Sequence, residues 1–181
     1  MTAAHKPTVR IVAPLVALAA VLMAAVPSAT RAAAAPPGVA AAECWNPGPI
    51  WSLAANKYVS ANLTATGAPL QARASSSGAW EQFKLVWLSS NGEYAIYSMA
   101  AKKYVRADLT ATNYPLRADS ASIGSWERFY VTNWGSYFTI SLTAVVRYAG
   151  ANLTSGPDFP IQARADNFGA WEQFRITRSP C

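Results

Sequence analysis

The chain has 181 residues, enough for one domain of ordinary size plus an export segment. Its formal net charge is +6, but Lys6, Arg10 and Arg31 fall in the first forty residues, and from Glu43 onward twelve Lys and Arg oppose nine Asp and Glu. So small a surplus, with no basic run to focus it, argues against a nucleic-acid partner, which needs a stripe able to neutralise several phosphates.

Residues 1–42 read as a signal peptide and Ala-rich leader. Lys6 and Arg10 form a charged start, Ile11 to Met23 an apolar run, and small residues between Pro27 and Ala42 offer several equivalent cleavage positions. The run is short for a membrane span, so a secreted protein with no membrane segment after cleavage is expected; an uncleaved anchor is the alternative. Two cysteines remain, Cys44 and Cys181, at the two extremes of residues 43–181. In an oxidising compartment one disulfide between them is the economical expectation, provided that the ends of the chain meet. Free or intermolecular thiols are the alternative.

From Lys57 onward one pattern occurs three times. The first copy reads Lys57-Tyr58-Val59-Ser60-Ala61-Asn62-Leu63-Thr64, then Pro69-Leu70-Gln71-Ala72-Arg73, then Gly78-Ala79-Trp80-Glu81-Gln82-Phe83. The second has Lys103-Tyr104-Val105, Pro115-Leu116-Arg117-Ala118-Asp119 and Gly124-Ser125-Trp126-Glu127-Arg128-Phe129; the third has Arg147-Tyr148-Ala149, Pro160-Ile161-Gln162-Ala163-Arg164 and Gly169-Ala170-Trp171-Glu172-Gln173-Phe174. Repeats of roughly 48–92, 93–136 and 137–178 follow from this spacing. Each alternates with period two between Gly, Pro, Asn and Ser breaks and predicts four strands, in the first copy Ile50–Leu53, Tyr58–Ala61, Leu70–Ala74 and Trp80–Trp87. No segment after residue 43 reads as a helix. A solenoid needs distinct capping repeats, and propellers usually have at least four blades. A threefold barrel with a hairpin cap leaves no sheet edge free and brings the first and last strands together. The expected class is therefore all-β: a β-trefoil of three pseudo-symmetric four-stranded repeats forming a capped six-hairpin barrel.

Lys-Tyr-Val-x-Ala-(Asn/Asp), Pro-Leu-x-Ala and Gly-x-Trp-Glu-x-Phe, in this order and tripled, resemble the fascin-like β-trefoils of the actin-crosslinking superfamily, and in particular its secreted bacterial single-domain members. The resemblance spans Ile50 to Ile176 and implies a binding module, in company with polysaccharide-degrading enzymes or with F-actin. The Gln-x-Trp signature of ricin-type sugar-binding trefoils is absent.

The only histidine is His5, inside the leader, so the mature chain has no imidazole for a nucleophile pair or a metal site. No catalytic residue, metal or cofactor is expected. Glu81, Glu127 and Glu172 recur at one position of every copy, which suits a structural carboxylate and not a catalytic pair. Trp80, Trp126 and Trp171, with Tyr58, Tyr104 and Tyr148, are read as the threefold core and its rim. Asn62 and Asn152 match a glycosylation sequon, but Asp108 at the same slot favours a turn-forming role. Ligand contacts are expected where the copies differ. Ala68, Tyr114 and Phe159 are equivalent positions before a Pro, so Tyr114 and Phe159 are read as exposed rings able to stack on a pyranose. Trp134, in Asn133-Trp134-Gly135, is a further ring, and Trp87 lies near the first repeat junction. Asn113, Asp119, Asp158, Arg73, Arg117 and Arg164 are the neighbouring polar candidates. The expectation is a monomeric, secreted, non-enzymatic module for a glycan or polysaccharide. A fascin-like protein-binding module is the alternative, and a hydrolase using Asp119, Asp158 or Asp166 a third.

Overall fold

The computed structural model describes residues 47–89 and 91–177. The expected leader with its cleavage region, Cys44 and Cys181 lie outside them. Among the described residues the chain forms twelve strands: β1 (Gly48–Ser52), β2 (Lys57–Ala61), β3 (Leu70–Ala74), β4 (Gln82–Ser89), β5 (Glu93–Ser98), β6 (Lys103–Ala107), β7 (Leu116–Ser120), β8 (Phe129–Asn133), β9 (Phe138–Leu142), β10 (Tyr148–Ala151), β11 (Phe159–Ala165) and β12 (Phe174–Ile176).

All of the pairings are antiparallel, and most fall into two sets, which the pairs β1–β2, β5–β6 and β9–β10 join. In one, β1 pairs with β4, β4 with β5, β5 with β8, β8 with β9, β9 with β12, and β12 returns to β1. Each of these six strands has a partner on both sides, which leaves no edge for another chain to join. The other set is three hairpins, β2–β3, β6–β7 and β10–β11, each with a register shift at the same place, just after Tyr58, Tyr104 and Tyr148. The hairpins also bond to one another. Ala118 donates its N–H to the Ala68 carbonyl at 2.9 Å, Ala163 donates to Tyr114 at 3.1 Å, and Phe159 of β11 registers with Ala72 of β3.

The interior is assembled from equivalent triplets. Phe83, Phe129 and Phe174 are buried, as are Leu70, Leu116 and Ile161. Ala61, Ala107 and Ala151 are wholly inaccessible, positions where a larger side chain would overfill the interior. Each fully buried Phe, Leu or Ile stabilises the fold by about 1.5–3 kcal/mol. The repeated Trp residues are not in this core: Trp80, Trp126 and Trp171 are half-buried at its edge, and Phe83, Phe129 and Phe174, three residues further on, fill the centre.

The expectation of no helix and of a strand from Trp80 needs correcting. Ala79–Glu81 and Ala170–Glu172 are single 3-10 turns, and β4 begins only at Gln82. The cause is the repeated Glu. Glu81 accepts from the Gly78 N–H at 2.7 Å, Glu127 from Gly124 at 2.7 Å and Glu172 from Gly169 at 2.8 Å. A side chain reaching back three residues closes the backbone into a turn, as the acidic member of a capping box does. All three carboxylates are buried, and Glu81 also accepts from the Ser60 hydroxyl.

Candidate functional site

The sequon position forms the same turn in every repeat. Asn62 Oδ1 accepts from the N–H and hydroxyl of Thr64 at 3.2 and 2.7 Å, and Asp108–Thr110 and Asn152–Thr154 repeat this geometry. Asn62 and Asn152 are buried and donate to Gln71 and Gln162 at 2.9 and 3.0 Å. The second repeat replaces both neutral partners by charges, with Arg117 Nε 3.3 Å from the Asp108 carboxylate. The Thr110 hydroxyl bond, with Arg106 and Arg117 close by, holds the Asp108 carboxyl below its ordinary value despite some desolvation.

The polar candidates are tied into separate pairs. Asp119 takes a two-pronged contact from Arg106, Nε to Oδ1 at 2.6 Å and Nη2 to Oδ2 at 3.1 Å, which holds the Arg106 proton more tightly than usual. Asp158 lies 3.8 Å from Arg73, Asp166 pairs with Arg147, and Glu93 with Arg128 at 3.0 Å. Each unrepeated acid thus has its own arginine, an arrangement for holding loops rather than for general acid and base work. Arg117 donates to the Thr66 carbonyl at 3.3 Å, and the Arg164 guanidinium lies over the Trp171 ring at 4.9 Å. Asn113 is exposed in the loop before Tyr114, with φ +63°.

Tyr114 and Phe159 do not stand out as exposed rings. Both are half-buried and pack, like Ala68, against the core. The backbone explains the difference. Asn113 and Tyr114 are both left-handed (φ +63° and +47°), and Tyr114 uses its carbonyl to bond the next hairpin; Phe159 is itself part of β11. A Pro-flanked ring reads as exposed in sequence, but here the loop turns inward.

Trp134 is different. It is 50% exposed, in the four-residue connection between β8 and β9. The turn is held by Asn133 Oδ1 accepting from Gly135 N–H at 2.9 Å, and by Trp134 N–H donating to the Tyr137 carbonyl at 2.9 Å. The indole donates from Nε1 to the buried Thr139 hydroxyl at 3.0 Å, fixing the ring's orientation. Phe168, 5.0 Å away and tilted by 36°, and Tyr137, at 6.5 Å and 25°, pack against it. Phe168 in turn meets Tyr148 at 5.3 Å. Four rings therefore form a continuous, partly exposed platform, with the exposed Asn167 next to Phe168 in the chain and Arg147, paired with Asp166, next to Tyr148.

Among the described residues, this platform forms only where the second repeat meets the third. In the first two repeats, the repeated Tyr packs on a ring across the strand pair: Tyr58 on Trp51 at 4.5 Å and Tyr104 on Tyr97 at 5.0 Å, both edge-on. Opposite Tyr148 stands Ser141, so Tyr148 turns to Phe168, which replaces Ser77 and Ile123 of the other copies. Sequence reasoning found Trp134 but missed Tyr137 and Phe168 and assigned Tyr148 to the rim. The usable signal was the two departures from the repeat, Ser141 and Phe168. Among the described residues, no group of three His, Cys, Asp or Glu could hold a metal ion.

No protein-family model and no curated protein matches the chain by sequence. Solved structures do match by fold. The designed threefold-symmetric protein ThreeFoil has a TM-score of 0.65 at 17% identity, over 74% of this chain and 99% of that one. A ricin B-like lectin of Macrolepiota procera, in complex with lactose, has 0.62 at 12% identity, over 77% and 100%. An exo-β-1,3-galactanase from Clostridium thermocellum has 0.64 at 14% identity over 74% of this chain, which spans only 30% of that enzyme's chain. The fold shared with such neighbours is the β-trefoil.

Proposed function

We propose that the protein is a secreted, non-catalytic carbohydrate-binding module that holds polysaccharide or cell-wall glycan on the Trp134 platform. The observation that carries this reading is the set of rings Trp134, Tyr137, Phe168 and Tyr148, its exposed indole oriented by a hydrogen bond, which forms only where the second repeat meets the third among the described residues. The exposed, fixed indole of Trp134 takes the apolar C–H side of a pyranose at little entropic cost, and Asn167 carries a donor and an acceptor for hydroxyls. The lectins among the fold neighbours support the same class of ligand. In this reading residues 1–42 are the exported leader, and residues 43–181 are a fascin-like trefoil of three repeats, the hairpins capping a six-stranded barrel. Cys44 and Cys181 form a disulfide. Its support is that β1 pairs with β12 and Thr177 donates to the Pro49 carbonyl, so the chain leaves the described residues at two adjacent points.

The test is retention of the purified protein on insoluble or gel-embedded polysaccharides. The native chain is retarded on at least one, and Trp134→Ala and Phe168→Ser abolish the retardation with the fold intact. No retardation on any of a broad set sinks the proposal. The tripled Trp-Glu-x-Phe motif, with Lys-Tyr-Val in the first two copies and Arg-Tyr-Ala in the third, also favours a fascin-like protein-binding reading, and cosedimentation with F-actin separates the two.

A further inference from the structure

Threefold repetition is broken at a second place. Between the first and second hairpins lies an open cleft of about 370 Å³, lined by Leu63, Ala65, Gly67, Ala68, Ala118 and Asp119, together with the turn from Ala100 to Lys103. Its volume falls within the usual range for small-ligand sites, and much of its boundary is open to solvent. The cleft includes Ala68, the position occupied by Tyr114 and Phe159 in the other repeats.

The loops carrying Ala68 and Tyr114 are built alike. Ala68 N–H donates to Ala65 and Tyr114 N–H to Ala111, at 3.1 and 3.2 Å, and φ is +42° and +47°. Equal backbone conformation sends Cβ in the same direction. The Tyr114 side chain therefore leaves the backbone in the direction that Ala68 has one repeat earlier, and its ring packs against the core. The counterparts of Leu63, Ala65 and Ala118 in the next repeat are Leu109, Ala111 and Ala163, so the apolar lining of the cleft beside Ala68 is repeated beside a tyrosine elsewhere in the same molecule. Its rim is polar at two points: the Asp119 carboxylate, which retains acceptor capacity beside Arg106, and Lys103, whose ammonium makes no ion pair among the described residues.

We propose that this cleft binds a small phenol, the ring taking the place of the absent aromatic side chain and the hydroxyl lying between Lys103 and Asp119. A small molecule fits better than a peptide. The backbone beside the cleft is already joined across the repeats, Ala118 N–H to Ala68 carbonyl, so no strand edge is open for an extended chain to join. The site is independent of the carbohydrate reading.

The alanine methyls of the cleft report on it directly. The experiment is titration of the full mature chain, with labelled alanine methyls, by p-cresol, followed by NMR. Ring-current shifts that saturate are expected at Ala65, Ala68, Ala100, Ala101 and Ala118, with none at the remote Ala151. Ala68→Tyr fills the cleft with its own ring, in a backbone conformation that Tyr114 already adopts, and should weaken binding by about tenfold or more, since burial of the ring drives it. Tyr114→Ala should open a second site, seen as a new saturating shift at Ala163. Trp134→Ala should leave the p-cresol shifts unchanged while removing retention on polysaccharide. The proposal is overturned by an absence of saturable shifts in the native chain, by equal shifts in Ala68→Tyr, or by stronger binding of methyl galactopyranoside. Tighter binding of Gly-Tyr-Gly than of p-cresol would overturn the small-molecule assignment in favour of a peptide.

Discussion

Where the first repeat has Ser60 and the second Arg106, the third has Gly150, and the reason is steric. A Cβ built on Gly150 would lie 2.5 Å from Glu172 Oε1 and 3.1 Å from the Trp171 carbonyl. In the first repeat the equivalent Ser60 instead donates its hydroxyl to Glu81. Gly150→Ala should therefore destabilise the fold by about 1–3 kcal/mol, read as a lower urea midpoint, because neither the buried carboxylate nor the backbone can withdraw. Gly169→Ala is the control. Its Cβ meets nothing nearer than 3.6 Å and its φ of −127° suits any residue, so no loss of stability is expected. At this scale sequence reading was weakest. Tyr114 and Phe159 were expected to be exposed, and only the left-handed loop of the one and the strand position of the other show where the rings go.

At the scale of an element, the second hairpin differs from the others by carrying charge where they carry amides. Asp108 and Arg117 stand where Asn62–Gln71 and Asn152–Gln162 form neutral bonds. Replacing either charge alone leaves the other mismatched, whereas Asp108→Asn with Arg117→Gln recreates the pair of the neighbouring repeats. A double-mutant cycle should give a coupling of about 0.2–1 kcal/mol, the range of a partly exposed ion pair, with the double variant near native stability. The Asp108 carboxyl is held below its unfolded value, so its stabilisation is complete above about pH 4 and is lost as the pH falls through the folded value. Asp108→Asn should correspondingly flatten the acid limb of the stability profile, and an unchanged limb would place that dependence elsewhere. Strand positions in the first copy were legible because alternation and turn residues encode them. The 3-10 turn before β4 was not, since it depends on a carboxylate folding back to Gly78, a contact without period.

For the whole molecule, the tripled motif carried most of the architecture. Three equivalent units with period-two patterning leave few ways to bury one face of each, and the circuit of pairings from β1 back to β1 is one of them. What repetition could not reveal was the site, because the platform and the cleft both arise where one copy departs from the others: Ser141 and Phe168 in one case, Ala68 in the other. The proposed Cys44–Cys181 disulfide belongs to this scale too. Closing so long a loop lowers the entropy of the unfolded chain, by about 4–5 kcal/mol in the entropic account. Reduction, or Cys44→Ser with Cys181→Ser, should therefore lower Tm markedly. Identical melting with and without reductant would remove the bridge from consideration.

The pairing of β1 with β12 also decides how the protein responds to being pulled. The chain enters β1 and leaves β12 at the same end of an antiparallel pair, with Pro49 and Thr177 at the first rung and Ile50 opposite Ile176 at the next. Tension on the two ends loads these rungs one after another, like a zip, so the reduced domain should give way at low force. A covalent bridge just outside the first rung would carry the load instead, and the trefoil would then extend hardly at all. Single-molecule stretching in oxidising and reducing buffer would show whether the protein can act as a mechanical link between a polymer and whatever holds its ends.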